Sequence, residues 1–549
     1  MSSPFIPTQR GGGGRLRLLW WQAPTLLNAH LSSGLKDIDA ARVVYEPLAG
    51  FNRHGEFVPI LAAEIPSLEN GDLSPDGTAV TWRLKKGVVW HDGTPFTADD
   101  VIFTWEYAAD SATAAVTLGS YQRIARIDRL DDHTIKLVFK HPTPYWYDAF
   151  FASRGHILPR HLFAPYAGQD ARNVPYNLTP IGTGPYKIVA FKPGDVALFE
   201  INSQYHVPRR PFFDSVELKG GGDATSAARA VIQTGEFDFA WNLQVEKDVL
   251  ERLDRQGGRG KVYIYPGSGI EHIQLNRTDP WLEVNGERSS LDAPHPFLVE
   301  PLVRQAYTLL VDRRTITEQL YGAAGQATSN FLDGPPRFRS PHTHWEFNLD
   351  KATQLLDQAG WRRGGDGVRV KAGRRMKLLY QTSVNPVRQK TQAIIKKSFE
   401  QAGVEVELKA VNPGVFFSTD PGNAEALAKF HADLQMFTAS PGSPDPQAHM
   451  TQFVSWEIAR RANNWSGQNV VRWVNATYDR LWQEAATELD PVKRAALFIG
   501  MNDLLVEDVV VIPLVWRKEV VATSQTLHGL ELTPWDSNLW DLAYWYRQG

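Results

Sequence analysis

A chain of 549 residues exceeds what one hydrophobic core organises, and about 100 to 200 residues per domain gives roughly three folding units. Charged residues are 22% of the total and acids nearly balance bases, for a net charge of -3, so the charge does not suggest a nucleic acid or other polyanion as partner. Cysteine is absent, which excludes disulfides, thiolate catalysis, iron–sulfur ligation and cysteine zinc sites.

Residues 1–14 (MSSPFIPTQRGGGG) are polar and Gly-rich, without the apolar centre of a signal peptide, and read as a flexible arm. No later run approaches the length of a membrane span. Residues 15–21 (RLRLLWW) read as a buried first strand, and a helix is expected near residues 38–45. The stretch 72–106 then gives the strongest local signals. Asp76-Gly77 is a tight turn, Val80, Trp82 and Leu84 alternate as a half-buried strand, and residues 91–95 (HDGTP) make a second turn. A helix follows, with Thr97 as N-cap, Asp99 and Asp100 in the first turn where the helix dipole favours carboxylates, and Val101, Ile102 and Trp105 as its apolar face. His91-Asp92 reads as a turn constraint and not as a catalytic pair. Residues 124–139 read as a hairpin turning at Asp131-Asp132.

The glycine-punctuated segment Gly182-Thr183-Gly184 lacks the Gly-Lys-Ser/Thr ending of a phosphate loop and no helix follows it, so it reads as a backbone turn opening a strand. A helix is expected from Asp223 to about residue 234. A strand from Val262 leads through Gly267-Ser268-Gly269 into a second one over residues 271–276. Residues 350–361 form an amphipathic helix with Ala352, Leu355, Leu356 and Ala359 on one face, stopped at Gly360. A helix over residues 389–402, a strand over 404–411 and a long strand over 509–522 complete the main elements.

Enzyme signatures are missing: there is no Gly-x-Ser-x-Gly elbow, no His-Glu-x-x-His and no Walker loop. His342-Thr343-His344 is half of a metal site at most and reads as a solvent-exposed loop pair. No catalytic residue, metal or cofactor is assigned. A hydrolase using two carboxylates brought together by the fold is the alternative from another class.

Lys86-Gly87, Trp90, residues 92–96 (DGTPF) and Ala98-Asp99-Asp100-Val101 make a long contiguous pattern. With Gly184-Pro185-Tyr186, Gly235-Glu236-Phe237-Asp238, Arg304-Gln305-Ala306 and Asp312-Arg313, it resembles the peptide-type (family 5) solute-binding proteins of ABC importers, over nearly the whole chain from Arg15. The resemblance implies an α/β fold of the periplasmic-binding-protein type II (Venus-flytrap) kind, two lobes joined by a two-strand hinge with an additional inserted domain. Residues 15–50, 182–270 and 513–549 would form the first lobe, 51–181 the insert and 271–512 the second lobe. It further implies a monomer, periplasmic or extracellular and membrane-associated, that captures a peptide or peptide-like solute between its lobes and delivers it to ABC permease membrane subunits. The arm would then begin a mature protein whose leader has been removed.

The implied ligand site lies at the cleft. In the family's peptide binders an Asp holds the ligand's amino group, and alignment on Pro444-Asp445-Pro446 puts Gly442 in its place. Positions that carry an aromatic residue and an Arg in oligopeptide binders fall near Ala439 and Met436, so Met436, Thr438, Ala439, Ser440 and Gly442 form an uncharged wall. That departure keeps an oligosaccharide, an opine or a nickel chelate as alternative ligands. Trp20 and Trp21, at the end of the first strand, and Ser268, Gly269, Glu271 and His272, on the first crossing, are further candidates. Glu271 could hold a cationic group or be a solvent-exposed hinge carboxylate. Trp516 and Phe416 are candidate walls, most of the 18 tryptophans reading as core, and Arg388 is either a partner for a ligand carboxylate or a surface side chain.

Overall fold

The alternation in RLRLLW is carried into space: in the strand Arg15–Trp20, Leu16, Leu18 and Trp20 are fully buried while Arg15 and Arg17 are exposed. In the computed structural model, which describes residues 7–32 and 34–548, this strand is the centre of a seven-stranded sheet. It pairs in parallel with Ser215–Gly220 and Phe239–Ala240. Val196–Ile201 and Tyr186–Lys192 extend the sheet on one side, Glu519–Ser524 and Gly260–Tyr265 on the other. One face packs on Tyr45, Phe213, Trp241 and Trp545, the other on the helix Ala224–Ile232. Residues 1–6 of the expected arm lie outside the described residues. Further along, Gly11 N donates to Pro211 O at 3.0 Å, and Gly12 N and Gly14 N donate to the Asp214 carboxylate at 2.8 Å each, so this part is tied down.

A second sheet has six strands in the order Gly325–Ala327, Val511–Arg517, Ile270–Leu275, Leu434–Ala439, Lys377–Ser383 and Glu405–Val411. The helices Pro301–Leu309, Leu349–Gln358 and Pro386–Gln401 bury apolar residues against it. In the second of these Ala352 and Leu356 are fully buried and the expected Leu355 and Ala359 only half-buried. The chain leaves the helix at Gly360, whose φ of +82° a side chain would resist.

The motif-rich stretch builds a third, three-stranded antiparallel sheet, Ala79–Arg83, Thr134–Phe139 and Ile124–Asp131, with the last two forming the expected hairpin. The helix Ala98–Ala109 begins where expected, Asp100 Oδ2 accepting from Thr97 N at 3.0 Å. Its buried face differs from the expected one: Ile102 and Trp105 are half-buried, while Val101, Phe103, Thr104, Tyr107 and Ala108 are fully buried. The reason is that this helix lies between two cores. Phe103 and Tyr107 pack with Leu158 and Tyr186 of the first, Val101 and Ala108 with Trp82 and Trp90 of the other. His91 locks this unit to Gly182-Thr183-Gly184, with Nε2 3.0 Å from Gly184 O and Nδ1 accepting from Gly182 N at 3.2 Å. A Cβ at Gly182 would sit 1.9 Å from Val44 O, so the glycine serves close chain approach and not a phosphate.

The chain passes between the two large sheets twice, in residues 266–269 and at Lys518. The single strand expected over residues 509–522 is therefore two strands, Val511–Arg517 and Glu519–Ser524, each belonging to a different sheet. The two connections are fastened to each other: Arg517 N donates to Gly269 O and the Trp516 indole Nε1 to Gly267 O, both at 2.9 Å. A Cβ on Gly267 would lie 2.4 Å from Arg517 O, which requires glycine there.

Candidate functional site

At the foot of the seam between the two sheets, the strand Ile270–Leu275 turns Glu271 inward, where it is fully buried. This is not the solvent-exposed hinge carboxylate considered above. Arg388 Nε donates to Glu271 Oε1 at 2.8 Å and Nη2 to Oε2 at 3.3 Å. The same guanidinium donates to Ser383 Oγ at 2.7 Å and to Thr438 Oγ1 at 3.0 Å, and Thr438 donates in turn to Glu271. Burial by itself would raise the Glu271 pKa, but the Arg388 charge and hydrogen bonds, with Arg517 and Thr438, hold it below the usual carboxylate range. Arg388 is placed by its helix start, since Asn385 Oδ1 caps the helix Pro386–Gln401 by accepting from Arg388 N at 3.1 Å. Neither residue is the surface group that sequence alone left open, and their charges are spent on each other.

Arg517 joins the same network, donating to Thr438 Oγ1 at 2.9 Å. Its other face meets residues 242–246, from the lobe of the seven-stranded sheet. The Gln244 carboxamide lies between Arg517 and Asn385, with its oxygen 2.6 Å from Arg517 Nη1 and its nitrogen 3.2 Å from Asn385. Lys390 Nζ and the Glu246 carboxylate are 2.6 Å apart.

Ser268, Gly269, Thr438 and Ser440 lie together beside the first connection. Ser268 Oγ is 3.2 Å from both Pro441 O and Pro534 O, and a Cβ on Gly269 would meet Thr438 and Ser440 at 2.7 and 2.8 Å. Ser440 and Gly442 are exposed, and an added Cβ at Gly442 would meet nothing within 4 Å. Asp445, the nearest acid in that segment, is buried in an ion pair with Arg494. Trp516 is half-buried, with the Arg339 guanidinium 5.1 Å above its ring, and Trp21 is half-buried with Nε1 donating to Asn242 O at 3.0 Å.

The other candidates lie in packed cores. Trp20 stacks on Trp241 with ring centroids 5.6 Å apart, Met436 packs among Tyr380 and Leu434, and Phe416 and Ala439 pack with Phe437. His272 is enclosed by Phe331 and Phe437, and burial lowers its pKa to about 4. Trp20, Met436, Ala439 and His272 are buried because their strands belong to sheets covered on both faces, while Phe416 is buried at the end of the helix Pro413–Phe416. His342 Nδ1 is 2.8 Å from Asp503 Oδ2, and among the described residues no three His, Cys, Asp or Glu side chains group as metal ligands.

Sequence reasoning missed the opposite wall. From the unit of the three-stranded sheet, Tyr145, Tyr147 and Asp148 face Ser443, Asp445 and Arg494, and the Arg123 guanidinium lies 5.6 Å over the Trp482 ring. The aromatic run PYWYDAFF, residues 144–151, was the available signal for it.

Two lobes joined by two fastened connections, with polar groups from both at the seam, define a two-lobed ligand-binding protein. The model of bacterial extracellular solute-binding proteins, family 5 Middle, matches residues 56–459, and the chain belongs to that family. It is 24% identical over 531 residues to the oligopeptide-binding protein AppA of Bacillus subtilis, covering 95% of this chain and 90% of that protein. It is 23% identical over 500 residues to the glutathione-binding protein GsiB of Escherichia coli K12, covering 90% and 87%. Among solved structures, AppA in complex with a nonapeptide superposes with a TM-score of 0.83 at 22% identity, over 98% of this chain and 100% of that one. NikZ of Campylobacter jejuni in complex with Ni(L-His) gives a TM-score of 0.83 at 21% identity, over 97% and 99%. No helix among the described residues is long and apolar enough to cross a membrane.

Proposed function

We propose that this protein captures a peptide or peptide-like amino compound between its lobes, without chemical change, and presents the closed form to the membrane subunits of an ABC importer. It acts outside the cytoplasm, as a monomer, with 15–50, 182–270 and 513–549 as the first lobe, 51–181 inserted and 271–512 as the second lobe. The observation that carries this reading is the pair of short connections at 266–269 and 518, beside which exposed Ser440 and Gly442 and half-buried Trp516 remain available to a ligand. A ligand that touches both lobes only when they meet favours the closed state by the difference in its affinity for the two. The absence of an acid at Ser440, Pro441, Gly442 and Ser443 favours, as a second reading, a ligand not held by a free ammonium group, such as an opine, an oligosaccharide or a nickel chelate.

The test is incubation with peptide and sugar libraries followed by mass spectrometry of what the protein retains. Intact peptides retained at stoichiometric levels are expected. Turnover of any library member would remove the binding-only reading, and retention of sugars alone would replace the ligand class.

A further inference from the structure

Two Asn-Gly pairs occur in the chain, Asn70-Gly71 and Asn285-Gly286. Glycine after asparagine leaves the backbone nitrogen unshielded by a side chain, so that nitrogen can reach the asparagine's own carboxamide carbon. The outcome depends on how firmly each carboxamide is held. Asn70 is locked: its Oδ1 accepts from Ser67 N at 2.9 Å and from Asp72 N at 3.1 Å, and its Nδ2 donates to Ile65 O at 3.0 Å. Asn285 is exposed at the tip of the hairpin formed by Glu283–Val284 and Glu287–Arg288. Among the described residues its carboxamide makes no hydrogen bond, and Gly286 N donates to no acceptor.

The hairpin is a two-stranded sheet of its own, with Glu283 opposite Arg288 and Val284 opposite Glu287. Asn285 has φ +53° and Gly286 φ +75°, the tight turn that Asn-Gly favours. Attack requires the Asn285 backbone to leave that turn, and a hairpin of two pairs with no larger sheet behind it opens at small cost. Arg461 adds chemistry. Its Nη1 donates to Asn285 O at 3.3 Å, and a Cβ on Gly286 would lie 2.8 Å from that same nitrogen. The guanidinium thus polarises the peptide group between Asn285 and Gly286 and stabilises the anion formed when Gly286 N gives up its proton. Arg461 is fixed to the hairpin by its backbone N, which donates to Glu287 Oε1 at 2.9 Å.

We propose that Asn285 is a self-modification site, converted in the folded protein to aspartate and isoaspartate, with Arg461 as the positioning residue that promotes the change. Gly286 N loses its proton to hydroxide and forms a bond to Asn285 Cγ. The Cγ–Nδ2 bond breaks, and the nitrogen takes a proton from water and leaves as ammonia. The succinimide ring then takes up one water. Opening at Cγ gives aspartate, and opening at the Asn285 backbone carbonyl gives isoaspartate, with a longer backbone. Either product places a new carboxylate beside Arg461. The hairpin follows the end of the strand Ile270–Leu275 that lies away from the connections, so the change marks the second lobe without touching the seam, whatever the ligand there.

The experiment is ageing of the full chain in neutral and mildly alkaline buffer, followed by peptide mapping with mass spectrometry, in which the aspartate and isoaspartate forms share a mass and separate on the column. Conversion at Asn285 is expected to rise with hydroxide concentration and to run about tenfold or more faster than at Asn70, the difference that one or two hydrogen bonds make in a barrier. Arg461→Gln is expected to slow it by about fivefold, with Arg461→Lys intermediate. Asn285→Gln, whose ring would need one more atom, removes the acidic species that ion exchange resolves in the aged parent. Asn285 intact after ageing, or Asn70 converted as fast, overturns the site. A rate in Arg461→Gln equal to or above that of the parent overturns the role of Arg461.

Discussion

Glu271 and Arg388 are 117 positions apart, each with two plausible surface roles in the sequence, and the fold removes both roles by burying them against each other. Such a pair is expensive to break from one side. Glu271→Gln leaves the Arg388 charge buried without its counterion and is expected to cost about 3 to 5 kcal/mol in urea unfolding, while Glu271→Gln combined with Arg388→Met recovers much of the loss. The pH dependence has a definite sign. The lowered folded pKa of Glu271 stabilises the protein above its unfolded pKa, about 4.3, and that contribution is lost as pH falls through the folded value. Asp39 acts in the opposite sense. Burial, with Asp536 nearby, raises it to about 7, so the fold keeps a proton that the unfolded chain releases near pH 4, and stability falls as pH rises between about 4 and 7. In Asp39→Asn the decline of melting temperature across that window is expected to flatten; an unchanged slope would assign it to other groups. At Gly442 the open space admits a side chain, so Gly442→Asp is expected to create affinity for free-amino peptides, and calorimetric titration with di- to pentapeptides checks it.

Elements whose signals are local were legible before any coordinates. Thr97 with Asp100, the hairpin around Asp131-Asp132 and the helix ending at Gly360 each carry their own start or stop, and each is found where expected. What could not be read was anything that depended on a distant neighbour. Ile102 and Trp105 look core-facing on a helix that meets one core, and this helix meets two. In residues 509–522 the charged triplet Arg517-Lys518-Glu519 marks a break, but the change of sheet at Lys518 is hidden, because the halves on either side are both buried and apolar. The start of the helix Pro386–Gln401 gives a test at this scale. Asn385→Ala removes the acceptor for Arg388 N and is expected to cost about 1 kcal/mol in chemical denaturation.

For the molecule as a whole, the lobes already meet at several points: Lys390 with Glu246, Gln244 with Asn385 and Arg517, and Arg123 with Trp482. These contacts set how far the open and closed forms differ in free energy before any ligand arrives. Lys390→Glu places two like charges across the seam and is expected to raise the radius of gyration measured by X-ray scattering without ligand and to weaken ligand binding a few-fold. Scattering profiles that coincide with those of the parent would mean that this pair does not bias the equilibrium.

Because Arg517 is tied to Gly269 and Trp516 to Gly267, neither connection is free to twist without the other. The jaws are therefore left with one easy axis. Groups lying along it, Glu271 and Arg388 among them, barely travel during a swing, whereas the rim carrying Tyr145, Ser443, Arg123 and Trp482 sweeps the longest arc. A probe pair placed on that rim would report the stroke, and one placed at the pivot would stay silent.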